Sequence, residues 1–241
     1  MTINDPCLVN YWPILDNRNM SDLVGGAHMT QGSLTSFTFD RFGNPNSALA
    51  LNGGFTQVPA GLIFNSAQFS TSAWVKPSQV GSWARVFDFG NVNLLLVPSQ
   101  FVQLSFSDYG SMQPSMVVYG TSQNTKAISS NVLTLETWHF LATTFNGSHL
   151  ILYVDGGIVS VSVVLDPIAK VQRKSNYFGK SNMVGDGVSH SILDDIRFYN
   201  ISLSQEQVLQ LMNDVNFVSC VSSTITTTAS PNLTDLISDG I

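Results

Sequence analysis

Apolar and polar residues alternate along much of this chain with a period of two, the signature of strands half-buried on one face. FSTSAWVKP (69–77) is a short β-rich run closed by Pro77, and WARVFDFG (83–90) alternates up to a glycine. QFVQLSF (100–106) places Leu104 and Phe106 on one face. PSMVVYG (114–120), ETWHFLATTF (136–145), SNYFGKS (175–181) and ILDDIRFYN (192–200) read as further strands. HLILYVDGGIVSVSVVL (149–165) is a hairpin with Asp155-Gly156 at its turn. Only SQEQVLQLMNDV (204–215) has helical spacing, with Val208, Leu211, Met212 and Val215 on one stripe. Ser204 is its expected N-cap, and Gln207 three residues on completes a capping box. Short strands, frequent turns and a single helix predict an all-β, antiparallel two-sheet sandwich, with the helix plugging one end.

Composition sharpens this picture. The 241 residues suffice for one large β domain, and a hydrophobic content of 44% excludes disorder for most of the chain. Charged residues make up only 11%, against about a quarter in ordinary domains. Ser, Thr, Asn and Gln must therefore cover the surface, which suits a secreted or cell-surface protein. The net charge of −6, with ten scattered Lys and Arg, excludes nucleic acid and an anionic membrane surface as partners. No apolar run reaches the about 18 residues a membrane span needs. MTINDPCLVNYW lacks the basic and apolar regions of a signal peptide, so either the protein is intracellular or Met1 opens a partial chain, the reading preferred here. After Cys220 the composition turns to Ser and Thr, so residues 219–241 are expected to be a linker or stalk. Residues 1–7 are then a flank and 8–218 the domain. Cys7 and Cys220 bracket it, and spacing alone leaves a bond and two free thiols equally open.

Catalytic chemistry finds little support. His28, His139, His149 and His190 show no metal-binding spacing, and there is no C-x-x-C, G-x-S-x-G or phosphate-binding glycine loop. Alternation sends Asp194 and Asp195 to opposite faces of their strand, so they are not expected to form a dyad. A lectin-type site needs an aromatic platform with polar neighbours. Trp12, Trp74 and Trp138 lie within strand patterns and read as core. Trp83 follows Gly81-Ser82 and is a rim candidate, with Arg85, Asp108, Tyr109 and Tyr119 as further ligand-binding candidates. Sequons at Asn19, Asn146, Asn200 and Asn232 permit glycosylation, at a frequency the composition alone would produce.

Five stretches, in order, carry a family resemblance. They are LVNYWPILDNRNMSDLVGG (8–26), DRFGNPNSALALNGGFTQVP (40–59), FSTSAWVKP, ETWHFLATTFNGSHLILYVDGG and LDDIRFYNISLSQEQVLQL. The chain resembles the laminin-G-like jelly rolls of the concanavalin A-like lectin/glucanase superfamily, which include pentraxin-related domains. The resemblance implies a jelly-roll sandwich over roughly residues 8–216. Glucanase relatives carry two glutamates on one strand, as retaining hydrolysis requires. Glu136 and Glu206 are the only glutamates here and have no carboxylate two or four residues away. The resemblance further implies a structural calcium with Asp194, in Asp194-Asp195-Ile196-Arg197, as a ligand and Asp22 or Asp16 from the N-terminal loop. It also favours a Cys7–Cys220 disulfide. The expected function is a non-catalytic, extracellular recognition or adhesion module for glycans or glycoproteins. The alternatives are a structural spacer of a larger surface protein and a carbohydrate-active hydrolase or lyase. Pentraxin relatives form rings, but no residue pattern here reports an interface.

Overall fold

The computed structural model describes residues 5–15, 20–61, 63–93, 95 and 97–214. The expectations at Asp16, Asn19, Asn232 and Cys220, including the Cys7–Cys220 bond and the Ser/Thr stalk, lie outside the described residues. Among the described residues, thirteen strands pair antiparallel and fold into two facing layers. In the first layer β11 (Gly157–Val163), β10 (His149–Val154), β9 (His139–Phe145), β4 (Phe69–Pro77), β13 (Ser189–Tyr199) and β3 (Ala48–Val58) lie side by side. β1 (Leu8–Trp12) pairs with β13, and β2 (Thr30–Thr38) with β3. β3 runs on beside β12 (Ser175–Phe178), which leads into β5 (Ala84–Val92), β6 (Pro98–Ser107), β7 (Ser115–Tyr119) and β8 (Asn124–Ile128) of the second layer.

Alternation fills the space between the layers. Val75, Leu141, Leu152 and Leu193 of the first meet Phe87, Phe89, Leu104 and Met116 of the second. Trp12 packs edge-on against Phe178 and Phe198 at 5.2 and 5.3 Å. The helix α1 (Gln205–Met212) starts at Ser204 with the expected capping box. It does not plug an end of the sandwich. Val208 and Leu211 join Tyr11, Phe140, Ala142 and Tyr153 in a second apolar cluster on the outer face of the first layer. Trp74 belongs to this outer cluster: it lies opposite Phe140 and stacks on it at 5.3 Å, half-buried. Trp138 is also half-buried and precedes β9, so of the three tryptophans expected in the core only Trp12 sits between the layers. Among the described residues, no helix is long and apolar enough to cross a membrane.

Candidate functional site: an aromatic platform on the outward face of the second layer

The outward face of the second layer is polar and yet buried. Arg85 and Asp88 of β5, Gln103 and Ser105 of β6 and Ser115 of β7 all point away from the core, and none is more than 4% exposed. A loop from Gly179 to Val188 covers Arg85 and Asp88. Arg85 Nη1 donates to Ser105 Oγ at 2.7 Å and Nη2 to Asp186 Oδ2 at 2.7 Å. Asp88 accepts from Asn182 N and Nδ2 at 2.9 and 2.8 Å. Burial lowers the pKa of Arg85 and raises that of Asp88, while the attraction between the two opposes both shifts. Removing one partner would strand the other in a dry site, so the network fixes the loop firmly.

Trp83 and Tyr109 stand at one end of this network. Both adopt left-handed backbone conformations, with φ of 56° and 50°. Such a φ costs a bulky side chain roughly 1–3 kcal/mol and persists only when the surroundings enforce it. The enforcement around Tyr109 is visible. Asp108 N–H donates to Gln113 O, Met112 N–H to Ser107 Oγ and Ser111 N–H to Asp108 O, at 2.9–3.1 Å. The two rings meet edge to face at 5.6 Å. The Arg85 guanidinium lies 5.6 Å from the Trp83 ring, and Lys126 Nζ lies 5.2 Å from it. Lys126 is held by Asp108 at 2.5 Å. Trp83 is half-buried and Tyr109 78% exposed, so together they present a fixed aromatic surface.

Four of the five ligand-binding candidates from the sequence therefore gather in one place. Two of them play a different part: Arg85 and Asp108 are buried, at 1% and 6% exposure, and hold the platform rather than line it. Tyr119 points outward from the far end of β7, four residues from Ser115, or about 13 Å along the strand. It packs on Phe101 at 5.3 Å instead. Lys126 leaves no signal in the sequence, because NTKAI carries no strand pattern by itself.

A family model for the concanavalin A-like lectin/glucanases superfamily matches residues 51–209, more than half of the chain. The chain belongs to this superfamily. Solved structures share its fold. Domain 4 of AbnA, an extracellular GH43 arabinanase from Geobacillus stearothermophilus, in complex with arabinotriose, has a TM-score of 0.69 at 21% identity, over 87% of this chain and 100% of that one. The binding domain of botulinum neurotoxin serotype G has 0.66 at 14% identity, over 86% of this chain and 51% of that one. Trypanosoma rangeli sialidase with a difluoro-KDN has 0.64 at 16% identity, over 87% and 33%. A comparison with curated protein sequences gives no match.

Of the calcium ligands implied by the superfamily resemblance, Asp22 and Asp194 lie among the described residues, and both are held by protein donors. Among the described residues, no three His, Cys, Asp or Glu side chains are grouped to hold a metal. Asp22 is 3% exposed, and its carboxylate accepts from Asn10 Nδ2, Tyr11 N, Val24 N, Gly25 N and Ala27 N at 2.6–3.0 Å. Asp194 pairs with Arg41 Nη1 at 2.6 Å. The expectation that Asp194 and Asp195 face opposite ways is corrected by a β-bulge. Asp194 lies opposite Trp74 and Arg197 opposite Ser72, so β13 carries one residue more than β4 between those pairs. Asp195 takes up that residue with φ of 53° and swings to the side of Asp194, 3.6 Å from Arg41 Nη2 and 2.9 Å from Arg197 Nη2. Asp214 reaches the same guanidinium at 2.5 Å. Burial, and then the neighbouring Asp195, push Asp194 up to about 7. These residues line a recess of about 530 Å³ with Tyr11 and Phe42. A second recess of about 350 Å³ lies between β1 and residues 59–66, away from every residue singled out by the sequence except Asn200.

Thr134 Oγ1, His139 and Asp155 fall in line at 3.1 and 2.9 Å. His139 Nε2 already accepts the Thr134 backbone N–H at 3.2 Å, so the set ties the entry of β9 to the β10–β11 turn. Asn146 lies exposed in the β9–β10 turn, where its Oδ1 accepts three local hydrogen bonds, and Asn200 is exposed after β13.

Proposed function

We propose that the outward face of β5–β8 is a non-catalytic glycan-recognition surface with Trp83 and Tyr109 as its stacking platform. The observation that carries this reading is that pair of aromatic residues, held at positive φ over a buried arginine network. Strain of this kind is found where a side chain must be presented. Aromatic rings receive the apolar face of a sugar, and the exposed part of Lys126 offers donors to its hydroxyls. Because the platform is already rigid, binding costs little ordering. Glu136 is held by Lys76 at 3.0 Å and Glu206 stands in the first turn of the helix, which fits a domain without the glucanase acid pair. Asp22 and Asp194 are occupied by protein donors, so we propose binding that does not need calcium. The low charged content fits an extracellular or cell-surface setting.

A glycan array tests the reading. Tyr109→Ala and Trp83→Ala are each expected to weaken binding about tenfold or more, the loss of one good stacking contact. Tyr109→Ala should keep the wild-type melting temperature because the ring is exposed. Equal signals with calcium and with a chelator are expected. Full binding by both variants would overturn the assignment.

One observation favours hydrolysis as a second reading. The bulge brings Asp194 and Asp195 together beside a recess, and a carboxyl that titrates near 7 is suited to act as a general acid. Arg41 stands against both carboxylates, which weighs against it. A panel of polysaccharides is expected to yield no new reducing ends. Release that disappears in Asp194→Asn would establish the enzyme instead.

A further inference from the structure

The platform is one end of a longer outward row. Gln57, Tyr177, Asp88, Gln103, Val117 and Lys126 lie side by side in register across six strands. Six neighbouring strands span about 24 Å. Lys126 marks one end of the row, with its Nζ 5.2 Å from the Trp83 ring. At the other end stands a second aromatic pair, Phe55 and Tyr177, edge to face at 5.6 Å and half-buried. Lys180 Nζ lies over both rings, at 4.7 and 4.8 Å.

The charges at the two ends differ. Arg85 is paired with Asp186 and lies 3.9 Å from Asp88, and Lys126 is paired with Asp108. Both cations at the Trp83 end are thus already neutralised, with three carboxylates around them. Lys180 has only ring faces beneath its ammonium, and among the described residues it makes no ion pair. Its backbone is also fixed. Gly179, at φ of 83°, donates to Val86 O at 3.1 Å and accepts from Ser189 N at 2.8 Å. A Cβ there would come within 2.6 Å of Leu51 Cδ1, so glycine is required. On the other side, Asn182 is tied to Asp88. Lys180 therefore stands at a set place on the same face, while the chain as a whole carries −6 and repels anions.

We infer that Phe55, Tyr177 and Lys180 form a second subsite on this face, which takes a carboxylate or sulfate group of an extended glycan whose neutral part lies on Trp83 and Tyr109. The inference rests on the glycan reading. A linear chain laid over the 179–188 loop would stack at both ends, with its anionic substituent against the unpaired ammonium.

Titration with matched oligosaccharides tests it: one neutral, one with a glucuronate in place of glucose, one with a sulfate ester. The wild-type protein should bind an anionic member about tenfold more tightly than the neutral one at low salt. In Lys180→Gln, that member should fall to the level of the neutral sugar, while Trp83→Ala weakens all three. A preference confined to the carboxylated or to the sulfated member identifies the group. A preference that survives in Lys180→Gln, or no preference in the wild type, would overturn the subsite and leave the platform standing. Silence from all three members would remove the glycan reading and the subsite with it.

Discussion

Asp22→Ala is expected to destabilise the domain by about 3–5 kcal/mol, the scale for breaking a buried, hydrogen-bonded charge site. Five donors lose their acceptor at once, four of them backbone N–H groups that pin the 22–27 loop against β1. The loop has no room to rearrange. A Cβ on Gly25 would meet Val9 O at 2.4 Å and Asn10 Nδ2 at 2.3 Å, so the chain passes β1 at backbone contact. In a domain of this size, the loss corresponds to a fall in melting temperature of about 10 °C. Asp22→Asn should be nearly as harmful. Its amide nitrogen would have to face either Asn10 Nδ2 and Ala27 N or the three N–H groups on the other oxygen. Thermal melts of both variants, with and without calcium, check this. A melting temperature for Asp22→Asn within a degree or two of the wild type would refute the account, as would a deficit that appears only in the presence of calcium.

Arg41→Ala should cost a similar about 3–5 kcal/mol, and its cost should depend on pH. Arg41 joins the loop before β3, the bulge of β13 and the end of the helix, through Asp194, Asp195 and Asp214. Its guanidinium also lies 4.4 Å from the Phe42 ring and 4.9 Å from Trp74. Lysine offers neither the fork nor the flat stacking surface, so Arg41→Lys should rescue little. Without Arg41, two adjacent buried carboxylates face each other across little solvent. The folded pKa of Asp194, about 7, lies above its usual 3.8. A raised carboxyl favours the folded state while it is protonated. Its contribution is complete below pH 3.8, declines as pH rises, and is gone above 7, a span of about 4 kcal/mol at most. The wild type should therefore melt higher at pH 5 than at pH 8, and Asp194→Asn should flatten that slope. Arg41→Ala should be far more damaged at pH 8 than at pH 5, where protonation removes the charge stranded on Asp194. Equal deficits at the two pH values would contradict the assignment. Asp166 works in the opposite sense. Thr121 Oγ1 and the N–H groups of Ser122 and Gln123 hold it down to about 2, so its support is complete above pH 3.8 and lost as the pH falls through 2.

Most of the architecture could be read from alternation, because strands such as β4, β6 and β13 bury one face against the opposite layer. β2 and β8 could not. TQGSLTSFT and NTKAI are mostly exposed, and a strand without a buried stripe leaves no period. The site was legible as residue types: Trp83 after the Gly81-Ser82 turn signal, with Tyr109 as a further aromatic candidate. What joins them was not. Arg85 and Asp88 are three apart on one strand and reach the same face only because the pairing of β5 with β6 shifts register between Arg85 and Phe87. The same physics defeated the alternation argument for Asp194 and Asp195. A single inserted residue reverses every facing beyond it, and periodicity carries no mark of where that insertion falls.

β2 has one neighbour among the described residues, β3, and its other side is open. A bare rim of N–H and C=O groups is a template on which a second molecule can dock and extend the sheet into an aggregate. Here the template is spoiled. The pairing with β3 slips twice, between Gln31 and Ser33 and again between Ser33 and Thr35, and the strand is chiefly Thr, Ser, Gln and Gly. A strand broken so often cannot offer an evenly spaced ladder to an incoming copy.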